Sequence, residues 1–374
     1  MTLQVPDYIR SLVPYVPGKP IEETQREYKI KKVVKLASNE NPLGPSPKAV
    51  AAIRKYLSQL HRYPDASGFG LKQALSASEG VFSQNLVLGN GSNEIIDLLI
   101  RTFCVAGESI VIHRAAFVAY QICAQIHGVS TLVAPIDDGL KCNLDALIHL
   151  VKSTESVKLV FLANPNNPTG VYLSRSELDR FFREMMLIRG GSVLVVLDDA
   201  YGEYITAPDC PNPKEFLKDY PHLVILRTFS KVYGLAGLRV GYGIASAEIV
   251  ALLEKVRQPF NLSSLALIGA IAALQDREFV EESLKMNQVG MKLWEAKLLA
   301  MGVPFWKSQG NFILIDAQAG FGLSGVDLFQ KCLTQGVILR PVANYGLAQA
   351  LRISIGTPAE NQRALKVLEK LLKR

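Results

Sequence analysis

The sequence predicts an α/β protein: a large domain with a mostly parallel central sheet covered by helices, followed by a smaller α/β domain. Three observations carry that expectation. Short Val/Ile/Leu runs alternate with helical periodicity from about residue 85 to 256. Those runs are apolar throughout instead of alternating with polar residues, which is the pattern of parallel strands buried on both faces. After Gln258 the pattern changes to a helical stretch and then to a second set of strands, as a separate unit requires.

Taken in order, residues 1–40, with Pro14, Pro17 and Pro20, read as an arm that wraps the body and contributes to the small domain or to a dimer. Residues 41–259 form the large domain. Its strands are expected at Leu86-Val-Leu, Ser109-Ile-Val-Ile, Thr131-Leu-Val, Lys158-Leu-Val-Phe-Leu, Ser192-Val-Leu-Val-Val-Leu, His222-Leu-Val-Ile-Leu and Val240-Gly-Tyr-Gly-Ile. Between them lie helices such as the one opened by Ser174-Arg-Ser-Glu177, a capping box ahead of Leu178, Phe181 and Phe182. Residues 260–374 form the small domain. One long helical stretch runs to about Ala300. Strands at Asn311-Phe-Ile-Leu-Ile and Val337-Ile-Leu-Arg bracket a helix, and Leu351-Arg-Ile-Ser-Ile precedes a terminal helix ending in Lys370-Leu-Leu-Lys-Arg.

Composition excludes several classes of function. A chain of 374 residues, 49% hydrophobic and 20% charged, has the make-up of an ordinary soluble protein with a large core. The start, Met1 to Arg10, carries charge and a proline before any apolar run, unlike a signal peptide. The longest uncharged stretch, Gln258 to Gln275, contains Pro259, Asn261, Ser263 and Ser264 and reads as a buried helix with its lead-in, not a membrane span. The net charge of +7 is spread along the chain apart from Lys29, Lys31, Lys32 and Lys35, a solvated face. No nucleic-acid-binding module accompanies it. Five cysteines (Cys104, Cys123, Cys142, Cys210, Cys332) without a C-x-x-C, and histidines without ligand spacing, imply a reduced, cytoplasmic protein with no structural metal.

The chemistry concentrates in Thr228-Phe-Ser-Lys-Val-Tyr-Gly-Leu-Ala-Gly-Leu-Arg239. It sets one lysine on a glycine-bounded turn behind an apolar strand. Lys231 can form an imine with an aldehyde, while Ser230 and Arg239 supply donors for a dianionic phosphate. Pyridoxal phosphate is the cofactor that needs both. Ligands of open α/β sheets bind outside the carboxyl ends of the strands, and two preceding strands also end in polar clusters. These are Asn164-Pro-Asn-Asn167-Pro-Thr-Gly170 and Asp198-Asp-Ala-Tyr201. Upstream, Gly89-Asn-Gly-Ser92-Asn-Glu94 is a glycine turn opening a helix, whose free N–H groups and dipole suit a phosphate. Each cluster taken singly also reads as an ordinary turn or cap; four of them in chain order at strand ends point to one site.

These motifs resemble those of the fold-type-I, pyridoxal-phosphate-dependent aminotransferases, and among them the histidinol-phosphate branch. The resemblance spans nearly the whole chain. Besides the central motifs it includes Tyr15-Val-Pro-Gly-Lys-Pro-Ile-Glu-Glu, Leu36-Ala-Ser-Asn-Glu-Asn-Pro-Leu-Gly-Pro-Ser-Pro47, Arg62-Tyr-Pro-Asp65, Leu339-Arg-Pro341 and Tyr345-Gly-Leu through Leu351-Arg-Ile-Ser-Ile-Gly-Thr357. It implies that Lys231 bonds the cofactor, Asp198 pairs with its pyridinium nitrogen, and Asn167 and Tyr201 bond its phenolic oxygen. Phe117 would stack on the ring, Gly91, Ser92, Ser230 and Arg239 would hold the phosphate, and Tyr63 would reach it from the second subunit of a homodimer. Arg352 would grip an α-carboxylate, with Arg340 and Tyr15 added for a substrate phosphate. Two positions depart from the family pattern: Asp199 stands where glutamate is usual, and Arg114-Ala-Ala116 replaces a Pro-Thr-type lead into Phe117.

The expected reaction is therefore amino-group transfer from L-histidinol phosphate to 2-oxoglutarate, in histidine biosynthesis. Three alternatives stand beside it: an aromatic amino-acid aminotransferase with Arg352 holding a true carboxylate, a phosphothreonine decarboxylase, and a regulator that keeps the cofactor fold as a sensor.

Overall fold

The computed structural model describes residues 3–15 and 17–372. Met1 and Thr2 of the expected arm, Val16 of its Tyr15-Val-Pro segment, and Lys373 and Arg374 of the expected terminal helix lie outside the described residues. All seven expected strands of the large unit form. They are β1 (Leu86–Gly89), β2 (Ser109–His113), β3 (Ser130–Ala134), β4 (Val157–Ala163), β5 (Leu194–Asp198), β6 (Leu223–Thr228) and β7 (Gly241–Ile244).

They make one sheet in the order β1-β7-β6-β5-β4-β2-β3. The central pairs are parallel, while β7 runs antiparallel to both β1 and β6. Helices cover both faces. Leu197, Ile225 and Phe181 pack on one side, and Val196, Leu226 and Ile96 on the other. Register decides where the chemistry falls. Ala163 of β4 pairs with Asp198 of β5, and Asp198 with Leu226 of β6, so three polar clusters leave the sheet almost level with one another.

Gly241 of β7 shows how closely the sheet approaches the next helix. A Cβ there would lie 2.6 Å from the Ser92 amide nitrogen and 2.9 Å from the Arg227 carbonyl oxygen. Only glycine lets the start of the Ser92–Phe103 helix sit against the strand.

The second unit has a four-stranded antiparallel sheet ordered Arg340–Pro341, Ala350–Ser354, Phe312–Asp316, Phe305–Trp306. Its core joins Trp294, Leu298, Ile313 and Ile353. Trp294 is fully buried, and its ring N–H donates to Asn361 Oδ1 at 2.9 Å.

Two expectations are corrected. The single strand expected over Val337–Arg340 is split. Val337–Ile338 pairs in parallel with Val34–Lys35 of the arm, and Arg340–Pro341 joins the four-stranded sheet as an edge, where a residue without N–H is tolerated. The long helical stretch is two helices, Ser264–Leu274 and Arg277–Met301. The break is a tertiary contact: Asp276 Oδ2 accepts from Ser46 Oγ at 2.6 Å and from the Lys48 N–H at 3.3 Å, capping the helix that begins at Pro47. Its backbone, at φ −99° and ψ 63°, leaves the helical region.

Candidate active site

Lys231, Asp198, Tyr201, Asn167, Ser230, Arg239, Ser92, Phe117, Tyr15, Arg340 and Arg352 line one cleft at the carboxyl ends of β4, β5 and β6. Strand alternation and the Ala163–Asp198–Leu226 rung aim the Asp198 carboxylate into it. Asp198 accepts from the Tyr120 hydroxyl at 2.6 Å and from the Ala200 N–H at 3.1 Å. Burial raises its pKa, and both hydrogen bonds oppose the rise. A cationic partner in the cleft would therefore be held strongly by it.

Lys231 sits in the turn between β6 and β7, 5.5 Å from the Tyr201 ring centre, with Nζ 3.5 Å from the Ser38 carbonyl oxygen. Burial lowers its pKa from 10.5 to about 8, and the Arg352 and Arg239 cations push the same way. The lowered value brings the neutral amine, the form a nucleophile or base needs, within reach near pH 8 instead of above 10. The rate at which the unliganded protein takes up pyridoxal phosphate is expected to rise with pH through a midpoint near 8. Stopped-flow absorbance across that range checks this, and a midpoint at the ordinary lysine value would refute it. The linkage has the matching sign. Between the lowered and the ordinary pKa the unfolded chain binds more protons, so stability of the unliganded protein rises with pH there.

At the other end of the cleft, Gly91 precedes the Ser92–Phe103 helix at φ 72°. A Cβ on it would fall 2.5 Å from Arg239 Nη2. Arg239 Nη1 in turn donates to Ser230 Oγ at 3.3 Å. Glycine, helix start, serine and guanidinium converge on a space that suits a dianion.

Arg352 is 5% exposed. Nη2 donates to the Ala37 carbonyl at 2.6 Å, Nη1 to Asn167 Oδ1, and the guanidinium lies over Phe312. Its buried Nε has no partner among the described residues. Arg340, 8% exposed, is its direct Cα partner on the neighbouring strand and lies over the Tyr15 ring at 5.7 Å. Two guanidiniums therefore enter the cleft from one rung of the ladder.

The arm supplies residues to which the sequence assigned no role. Asn39, at φ 55°, donates from Nδ2 to the Tyr201 hydroxyl at 2.9 Å, and its Oδ1 accepts from Ser354 Oγ at 2.7 Å. Ser38, Glu40 and Gly18 also line the cleft. Tyr120 was missed too. It stacks on Phe161 at 4.8 Å and meets Phe117 edge-on at 5.8 Å. The available signal was a tyrosine on an apolar helix face, whose buried hydroxyl needs a partner. The Arg114-Ala-Ala116 lead is pinned on two sides: Arg114 Nη2 donates to the Gly346 carbonyl at 2.8 Å, and the Ala115 carbonyl accepts from Asn166 Nδ2 at 3.0 Å. Tyr63 does not line its own chain's cleft. It is 82% exposed and stacks on Phe260 at 4.8 Å.

The family model for aminotransferases of class I and II matches residues 31–368. The chain belongs to this aminotransferase family. Its relatives include histidinol-phosphate aminotransferase 2 of Pseudomonas fluorescens, 46% identical over 98% of this chain and 96% of that one. The histidinol-phosphate aminotransferase of an Anaeromyxobacter species is 45% identical over 98% and 99%. Among solved structures, that of histidinol-phosphate aminotransferase from Sinorhizobium meliloti in complex with pyridoxal-5′-phosphate superposes with a TM-score of 0.89 at 26% identity, covering 100% of this chain and 98% of that one. A Thermus thermophilus aspartate aminotransferase variant, at 18% identity and TM-score 0.85, shares the fold.

The aminotransferase cofactor fits the residues present. The close approach of the Arg239 guanidinium to Gly91, which a Cβ would block, beside the start of the Ser92–Phe103 helix matches its phosphate, the buried Asp198 carboxylate a ring cation, and the Lys231 amine, with its pKa lowered by burial, its aldehyde. No helix among the described residues is long and apolar enough to cross a membrane.

Proposed function

We propose that the chain catalyses reversible transfer of the amino group of L-histidinol phosphate to 2-oxoglutarate, giving imidazole-acetol phosphate and glutamate, with pyridoxal 5′-phosphate as cofactor. The observation that carries the substrate is the Arg340–Arg352 rung. A single guanidinium suffices for a carboxylate, whereas a second buried one beside it matches the charge of a phosphate monoester. The names of the relatives support the same donor.

When bound, the cofactor supplies an electron sink for the charge left on the substrate Cα. The protein's own residues do the rest. Asp198 would keep the ring nitrogen cationic, Asn167 and Tyr201 would bond the phenolic oxygen, and Phe117 would cover a ring face. Gly91, Ser92, Ser230 and Arg239 would hold the phosphate. Lys231, whose Nζ lies in the cleft over the Tyr201 ring, would take the proton from the substrate Cα as general base. The carboxylates of 2-oxoglutarate then use the same cation pair, closing a ping-pong cycle. The reading includes a cytoplasmic homodimer, in which the exposed Tyr63 reaches the partner's cofactor phosphate.

The test is the initial rate with 2-oxoglutarate as acceptor, comparing L-histidinol phosphate, phenylalanine and tyrosine as donors by kcat/KM. A preference for the phosphate donor of at least about a hundredfold, ~2.7 kcal/mol of discrimination, is expected. Equal or better rates with the aromatic amino acids would overturn it and leave Arg352 as a carboxylate fork. Carbon dioxide released from phosphothreonine without a keto acid would point to decarboxylation instead.

A further inference from the structure

Behind the cleft, on the opposite face of the sheet, lies a buried ionic cluster that the reaction does not use. Its centre is Arg227, the residue before Thr228 at the end of β6. Asp198 pairs with Leu226, so strand alternation turns Arg227 away from the cleft. Its Nη2 meets Asp199 Oδ2 at 2.6 Å, and Nη1 lies 3.5 Å from Glu79 Oε1 and 3.8 Å from Glu203 Oε1. Tyr242, the Cα partner of Arg227 on β7, donates to Glu79 Oε1 at 2.5 Å, and Lys214 Nζ donates to Glu79 Oε2 at 2.9 Å. The Asp199 side chain is 1% exposed and that of Arg227 16%.

The position of the pair along the two strands is what matters. The Asp199 N–H donates to the Leu226 carbonyl at 2.9 Å, continuing the β5–β6 ladder one residue past Asp198. The chains then separate, one into Ala200-Tyr201 and the other into Thr228 through Lys231. The Asp199–Arg227 contact is a side-chain link at that point of separation. A buried ion pair adds little stability over a well-packed apolar pair, whereas a rigid, planar guanidinium that reaches Asp199 with Nη2 and Glu79 and Glu203 with Nη1 fixes geometry.

The geometry points to the Asp199–Arg227 pair as a positioning device: it staples the end of β5 to the end of β6 and so fixes the separation of Asp198 from Lys231. This rests on the reading of those two residues as the groups that hold the cofactor. Misplacing a reacting group by about 1 Å can cost about a hundredfold in rate, so the pair governs turnover from outside the cleft.

The decisive variant is Arg227→Lys, which keeps the charge but replaces a planar group that spans Asp199, Glu79 and Glu203 with a point donor. In the holoenzyme it is expected to lower kcat by about tenfold or more while KM for any accepted amino donor stays within about threefold. The pH midpoint of the bound cofactor's absorbance, which needs no donor, is expected to move by at least about half a unit, because the spacing of Asp198 and Lys231 has changed. Asp199→Asn, nearly isosteric, is expected to do the same, and it decides by the same thresholds if Arg227→Lys does not fold. Variants that lose only thermal stability, with kcat and the absorbance midpoint unmoved, would overturn the proposal and leave the cluster structural. Donor preference enters neither readout, so a wrong substrate assignment would not be mistaken for failure of the staple.

Discussion

Lys231→Ala is expected to lower kcat for amino-group transfer by at least about four orders of magnitude while leaving the fold intact. Two functions are lost together. General-base transfer by a positioned side chain contributes about 10²–10⁴-fold, and the covalent hold on the cofactor goes with the same amine. Stability is not the cause of the loss. Among the described residues Lys231 makes one long hydrogen bond, 3.5 Å to the Ser38 carbonyl, and lies 5.5 Å over the Tyr201 ring, while burial and two nearby arginines already disfavour its charged form. Removing it relieves that cost, so the melting temperature should hold or rise. Single-turnover kinetics with cofactor and donor, beside a thermal melt, checks both arms. A small primary amine in solution should restore part of the proton transfer, because the cleft around Ser38, Tyr201 and Arg352 is otherwise unchanged. Turnover near the wild-type rate would remove Lys231 from the mechanism.

Where the sequence was legible, it was legible locally. The clusters after β4, β5 and β6 follow continuous apolar strands, and parallel neighbours with level registers bring three such ends together without further information. Lys231, Asp198, Asn167 and Tyr201 meet for that reason. The glycine turn at Gly91 was readable because a helix start must present free N–H groups. Residues placed only by tertiary packing were not readable. Asn39 reaches Tyr201 from 162 positions away and is held by Ser354 from 315 away. Tyr120 meets Asp198 because the Ala119–Ile126 helix packs over β2 and β3, which no local pattern reveals. The split of Val337–Pro341 and the break at Asp276 have the same origin: the arm's Val34–Lys35 and the helix start at Ser46 compete for groups that periodicity alone assigns to one continuous element.

Arg340→Gln tests the substrate assignment most sharply, because it separates the two cations that share a rung. Arg352 is held by the Ala37 carbonyl through Nη2 and by Asn167 through Nη1, and each of these nitrogens keeps a second N–H. It is suited to an acid group on either the donor or 2-oxoglutarate. Arg340 comes in beside Tyr15, at the rim where the arm crosses. If a phosphate bridges both guanidiniums, losing Arg340 removes one or two charge-assisted bonds, each of about 1.5–3 kcal/mol. That corresponds to a fall of roughly 10- to 10⁴-fold in kcat/KM for L-histidinol phosphate. Rates with phenylalanine, whose carboxylate needs only Arg352, are expected to stay within about threefold. Arg352→Gln should depress both donors together. A uniform loss on Arg340→Gln would mean that Arg340 supports Arg352 instead of reading the substrate. The ratio of donors, more than either rate, is the quantity that distinguishes a phosphate site from a carboxylate fork with a neighbouring cation.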